Sequence, residues 1–391
     1  MKSQTVFIAL LLLVLSCDKQ EETRTEPPFD ESENPIITPT ETQTKTETEI
    51  LNWFNHQQMS NGLLQSIEDG NVVSLYDNAL ASLVYILEED YESAELVFDF
   101  FNARINSELK AGPGGFSQLR DSSGTPNNHR WMGDNAWLLI AINNYKAKTG
   151  SSKYDILARE IKGWLLSLQD SDGGLFAGYD ANNQLLNYKV TEGMIDAFNA
   201  IEGYASFHNE LLHYLEVDRW DEADKNLVAW PGNPQHLYAL DLHPWSYMIF
   251  KDYPLSSLRT AERYITSQSS TATGEVITGY CFDEDQDVVW FEGTAQMTLA
   301  FDLANLSSER DFYLAEMEKN LIASARNTDA SGFPYSSNMG THYGGDLLWN
   351  TAHTEIAISG GAWYIFTKRA FNPFAIERNK AIPQEDMFWL D

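Results

Sequence analysis

Cysteine is nearly absent from this 391-residue chain: only Cys17 and Cys281 occur, too few for the disulfide framework that staples small exported domains. Basic residues are scarce too, with 26 Lys and Arg against 57 Asp and Glu and a formal charge of −31. Nucleic acid is therefore excluded as a partner, because phosphate binding relies on Lys and Arg displacing counterions and no basic stripe is present. Anionic polymers and bare bilayer surfaces are disfavoured for the same reason. The longest apolar run, Val6 to Leu15, has ten residues, well short of the roughly 20 that a spanning helix needs. HExxH, Cys/His pairs, GxSxG, a Walker-type loop and a strand-preceded GxGxxG are all missing, so zinc, serine-hydrolase, NTPase and dinucleotide chemistry lack their signatures. Aromatic residues, in contrast, are abundant: 11 Trp, 18 Tyr and 20 Phe. Their faces suit the flat apolar patches of sugar rings.

Met1-Lys2 followed by VFIALLLLVL reads as a signal peptide over residues 1–16. Val14-Leu15-Ser16-Cys17 resembles the lipobox of bacterial lipoproteins, in which the cysteine is lipidated and becomes the mature N-terminus. An ordinary secretory peptide with a cysteine nearby is the other reading. With Cys17 lipidated only Cys281 is left, so the folded part has no internal disulfide and must be held by packing. Residues 17–49 are rich in Glu, Asp, Thr and Pro and read as a solvated acidic tether. The expectation is a cell-envelope protein in the outer membrane, facing outward, monomeric, and touching the membrane only through the Cys17 lipid.

From Ile50 onward helical spacing predominates. Helices are predicted over 50–68, 77–89, 91–109, 134–149, 153–169, 191–206, 209–226, 241–250, 255–268, 291–304, 309–326 and 352–369. The even-numbered ones are apolar on most faces, as in DNALASLVYIL and EGTAQMTLAF, and suit an interior. The odd-numbered ones are amphipathic and carry the charges. Even helices begin near Asp77, Asp134, Glu192, Asp241, Glu292 and His353, at intervals of 57, 58, 49, 51 and 61 residues, a degenerate hairpin repeat. No linker interrupts residues 50–374. Six inner and six outer helices in alternation make an all-α (α/α)6 toroid, with residues 375–391 as a tail packed on it. Strands are predicted only over 275–282 and 287–290, at most one short hairpin in a loop.

Parallel inner helices bring their N-termini to one mouth, and here those starts are polar. Asp and Glu at helix starts also act as caps and complement the macrodipole. Six such starts in one ring, with Tyr76, Trp131, Trp137, Trp245, Trp290, Tyr343 and Trp349 around them, describe a cleft for a carbohydrate. Glycosidic cleavage needs one protonated carboxyl and one ionised one. Glu292 is the candidate acid, because Trp290, Phe291 and Gly293 surround it with apolar company that raises a carboxyl pKa. Asp134 and Glu192 are candidates for its partner, with Asp77 behind them. Asn135, His243 and His353 join the aromatic residues as expected substrate contacts.

Tyr76-Asp77-Asn78-Ala79-Leu80, Gly133-Asp134-Asn135-Ala136-Trp137 and Trp290-Phe291-Glu292-Gly293-Thr294 resemble the inner-helix openings of the six-hairpin glycosidase group. Those toroids are shared by many glycoside hydrolases, some polysaccharide lyases and sugar epimerases. The resemblance spans about residues 50–374 and implies a carbohydrate enzyme. The paired aspartates of toroidal mannanases and the arginine-rich signature of unsaturated glucuronyl hydrolases are absent. Gln169-Asp170-Ser171-Asp172-Gly173-Gly174 resembles the helix-end turn of terpene-cyclase toroids, without the cyclase DxDD acid, and reads as a structural turn.

Asp283, Asp285 and Asp287 place carboxylates at alternate positions, a pattern that can wrap calcium, although the glycine and glutamate of an EF-hand are missing. A solvated loop is the simpler reading, and no cofactor is required. His353 with Tyr343 has the parts for a lyase, but a lyase must also neutralise a uronate, and Arg130 is the one basic residue in position. The sequence thus favours a hydrolase acting on a neutral glycan, ahead of a glycan-binding protein without catalysis or a lyase.

Overall fold

The computed structural model describes residues 43–340 and 353–390. The expected signal peptide, Cys17, most of the tether, His342, Tyr343 and Trp349 lie outside the described residues. In chain order the helices are α1 (Lys45–Gln57), α2 (Leu75–Leu87), α3 (Tyr91–Asn102), α4 (Met132–Thr149), α5 (Asp155–Ser167) and α6 (Thr191–Ala200). They continue with α7 (Ser206–Asp218), α8 (Leu242–Ile249), α9 (Ser256–Thr260), α10 (Phe291–Leu303), α11 (Ser307–Glu318) and α12 (Ile358–Lys368).

The even helices form the inner ring: each packs on the next, and α12 packs back on α2 to close it. The odd helices lie outside, α3 on α2, α5 on α4, α7 on α6, α9 on α8, α11 on α10 and α1 on α12. Hydrophobicity explains the sorting. Every residue of α6, and every residue of α10 from Phe291 to Phe301, is buried, whereas α3 buries only Ala94, Val97, Phe98, Phe100 and Phe101. The expected (α/α)6 toroid is the observed fold. None of the described helices is long and apolar enough to cross a membrane.

Local differences have identifiable causes. α1 begins at Lys45, inside the stretch read as tether, because Thr44 and Glu47 form a reciprocal cap: Thr44 Oγ1 accepts from Glu47 N at 3.3 Å and Glu47 Oε2 accepts from Thr44 N at 2.8 Å. The predicted helix 255–268 stops at Thr260. Ile265–Ser269 instead pairs antiparallel with Val276–Tyr280, since Ile265 and Thr266 are β-branched and the serines after them are poor helix formers. Residues 287–290, expected as a strand, are an irregular lead into α10. Small antiparallel ladders also join the loops, among them Arg130-Trp131 with Gly178-Tyr179.

Repeated side-chain devices mark the hairpins. Asn78 Oδ1 accepts from Leu64 N and Asn135 Oδ1 from Phe116 N, at 2.8 and 2.9 Å, each pinning the loop that precedes its own helix. Gln169 Nε2 donates to Gly173 O and Phe207 O, and Gln58 Nε2 does the same to Gly62 O and Ser93 O. The turn at Gln169 is thus structural, as expected. At the end of the ring remote from the helix N-termini, Asn144 and Asn199 donate to Pro373 O and Phe374 O. Phe374 is thereby seated against Trp137 and Trp245, with ring centroids 5.0 and 6.1 Å away. The following tail packs on the fold through the buried Phe388 and Trp389.

Candidate active site

The starts of α2, α4, α6, α8 and α10 line one cleft. A second cavity is lined by the starts of α2, α10 and α12 and shares Tyr76, Glu292 and Tyr335 with the first. All six inner N-termini therefore face the same mouth. Glycine permits the crowding: a Cβ on Gly193 would lie 2.8 Å from Met132 Cε and 3.2 Å from Gly133 N. The close approach of α4 and α6 brings the neighbouring Asp134 and Glu192 into one cleft.

Glu292 is buried, and its Oε1 accepts from Tyr76 Oη at 2.5 Å and from Gln296 Nε2 at 3.1 Å. Burial pushes its carboxyl up to about 7; the Tyr76 hydrogen bond pulls it back and the charge of Asp77 raises it. Asp134 is likewise raised to about 7 by burial, eased by its own backbone N–H, raised by Asp77, and reached by Gln118 Nε2 at 3.4 Å. Glu192 Oε1 lies 2.9 Å from His236 Nε2, and the His236 ring stacks on Phe282 with centroids 5.6 Å apart.

Two further carboxyls stand in the cleft: Asp241, read from sequence only as the start of an inner helix, and Asp196, which sequence reasoning missed. Asp196 is held well above the usual carboxylate range by burial and by Asp241, Glu192 and Asp134, and Asp241 by burial and by Glu192 and Glu292. One oxygen each of Asp241 and Glu192 is buried without a hydrogen-bond partner, and the Asp196 carboxyl has only the Trp137 indole as a side-chain donor. Polar atoms left so inside a protein are costly unless something arrives to pair them. The overlooked signal was spacing: Glu192 and Asp196 are i,i+4 on a helix with no exposed face. His236, Gln118 and Tyr335 come from loops, where periodicity gives no guide.

Among the expected contacts, Tyr76, Trp131, Trp245 and Trp290 line the cleft, with Trp137 at its floor. Trp131 heads an aromatic series toward the surface, 6.2 Å from Tyr188, which stacks on Trp230 at 4.6 Å. Asp77 lies behind, in the smaller cavity with His353, and burial raises it to about 7. Two expectations are corrected. Asn135 is fully buried and spends its amide on Phe116 and Trp131 backbone atoms. His243 faces the outer layer, where its Nδ1 lies 2.7 Å from Ser257 O and burial lowers it to about 3. A single helix residue cannot face both the outer layer and the mouth. Arg130, the expected uronate partner, is turned away onto Gly115 O, Asn128 O and Asn183 Oδ1.

Asp283, Asp285 and Asp287 do converge, on the buried Cys281, whose Sγ lies 3.7, 3.6 and 4.0 Å from their oxygens. Burial pushes that thiol up to about 12, so it stays protonated as a weak donor. Calcium takes an all-oxygen shell, and a thiol at the centre of the cluster does not suit it.

No family model matches the chain, and no curated protein matches it by sequence. Solved structures do match. A sugar epimerase from a ruminal bacterium superposes with a TM-score of 0.59 at 11% identity, covering 83% of this chain and 97% of that one. Cellobiose 2-epimerase from Bacillus thermoamylovorans gives 0.56 at 12% identity, covering 83% and 97%. A wild-type glycosidase gives 0.57 at 11%, covering 82% and 95%, and a variant of a glycosidase with the same scores is in complex with glucose. The likeness is one of fold. The toroid is shared with proteins named as glycosidases and as sugar epimerases, and fold alone does not fix function.

Proposed function

We propose that the chain is a glycoside hydrolase acting on a glycan without anionic groups, held in the cell envelope through the lipid on Cys17. The observation that carries this reading is Glu292: a buried carboxyl raised to about 7, oriented by Tyr76, in a cleft that also holds ionisable carboxylates and indole rings. Glu292 donates the proton to the leaving oxygen. Asp134 or Glu192 activates water or attacks directly, the two roles that glycosidic cleavage requires.

Glu292→Gln, and one of Asp134→Asn and Glu192→Gln, should abolish release of reducing sugar from purified glycans while leaving glycan retention intact. Activity that survives Glu292→Gln, or survives both partner changes, removes the assignment. The same assay separates hydrolysis from epimerisation, which leaves the number of reducing ends unchanged, and from binding without turnover. A lyase is disfavoured because a substrate uronate would meet no cation in the described walls of the cleft. Envelope anchoring is checked by labelled fatty acid, which should enter the wild-type chain and not Cys17→Ser.

A further inference from the structure

We infer that the cleft takes a saccharide carrying a protonated amine, with Asp196 and Asp241 as the carboxylates that meet the ammonium group. The inference deepens the hydrolase reading and rests on it for what then happens to the sugar, though not for the binding itself.

The first ground is the sign of the walls. Asp134, Glu192, Asp196, Asp241 and Glu292 all line the cleft, and the described lining contains no Lys, Arg or His. Arg130 is committed to loop backbone, and His236 stands behind Glu192.

The second ground is the state of two of those side chains. Asp196 and Asp241 are only 2% and 6% exposed; the Oδ1 of Asp241 has no partner, and the Asp196 carboxyl has only the Trp137 indole as a side-chain donor. A sugar hydroxyl can pair one such oxygen but leaves the crowding of carboxyls as it was. An ammonium group brings three donors and a positive charge, which together pair such oxygens and favour the ionised carboxylates. Trp245 Nε1, also buried without a partner, is a donor for a neighbouring hydroxyl or ring oxygen. A uronate or sulfated sugar would bring an anion that no cation in the described lining could meet.

Cation binding must also expel protons. The titratable groups around the site are Tyr76 and Asp77 from α2, Asp134 from α4, Glu192 and Asp196 from α6, His236 from the loop before α8, Asp241 at the start of α8 and Glu292 from α10. Carboxyls that hold protons in the free protein lose them when an ammonium arrives.

The test is calorimetric titration of the full chain with the methyl glycosides of glucosamine, galactosamine and mannosamine and their N-acetyl counterparts. Titrations run near neutral pH in two buffers of different ionisation heat. At least one amine should bind about tenfold more tightly than its acetylated counterpart, with protons released to the buffer. Asp196→Asn and Asp241→Asn should each erase most of that preference. Equal or weaker binding of all three amines overturns the inference, as does a preference that survives both variants. If the hydrolase reading alone is wrong, the amine preference persists while no reducing sugar is released.

Discussion

The hydroxyl of Tyr76 donates to Glu292 Oε1 at 2.5 Å and accepts from Trp363 Nε1 at 3.0 Å. Three inner helices, α2, α10 and α12, thus hold one carboxyl in one rotamer. A proton donor must point at its leaving oxygen, so this orientation is worth as much to catalysis as its acidity. Tyr76→Phe should lower kcat by roughly 10- to 100-fold. The lost hydrogen bond had pulled the Glu292 pKa down, so the alkaline limb of the rate profile should move to higher pH. A limb that stays in place, or moves down, refutes the arrangement.

In the wild-type chain Glu292 must be protonated to act. Its carboxyl lies at about 7, so kcat/KM should fall roughly tenfold per pH unit above that value. Initial rates measured from pH 5 to 9 check this, and the limb should vanish for substrates whose leaving group needs no protonation.

Asp77 tests linkage between pH and stability. Its folded pKa is raised by burial from 3.8 to about 7. The folded state therefore binds the proton more tightly, and the stability tied to it is complete below about pH 4 and lost as pH rises through 7. Asp77→Asn should raise the thermal midpoint at pH 8, by the equivalent of about 1–4 kcal/mol, and leave it unchanged at pH 4. A variant equally stable relative to wild type at both pH values contradicts the burial argument.

Asn135 separates structure from function. Its side chain makes three hydrogen bonds to the backbone of Phe116 and Trp131 and does not reach the cleft. Asn135→Leu should destabilise by about 2–4 kcal/mol in a chemical melt, with kcat per folded molecule preserved.

Gly193 sets the spacing of α4 and α6. Gly193→Ala should push the helices apart against Met132 and Gly133 N, at a cost of about 1–3 kcal/mol. The rate should fall more than stability predicts, since Asp134 and Glu192 flank the contact. Unchanged kcat would show that their separation is not critical.

The inner helices were legible because burial on every face leaves an unmistakable apolar pattern. The six polar starts, five acidic and one histidine, were legible because polar residues are rare in such helices. Asp196 was hidden for the same reason that it matters: one carboxyl inside GMIDAFNA reads as an exception to the pattern rather than as a partner of Glu192. The start of α1 was hidden by Thr and Glu, which serve a tether and a capping box alike. Expecting Asn135 and His243 in the cleft failed on direction, because a residue near a helix start can face the mouth, a loop or the outer layer, and spacing alone gives no rotation about the axis.

Sequence by itself determined the all-α toroid, the order of inner and outer helices, and the end of the ring at which acids and indoles gather. Those properties depend on hydrophobicity summed over many residues, which survives any single ambiguity. Only tertiary structure decided which carboxyls share a cleft, which are hydrogen-bonded and which are left unpaired. Such facts turn on contacts across the ring, as between Tyr76 and Glu292, 216 positions apart, and on side-chain directions that no local pattern encodes.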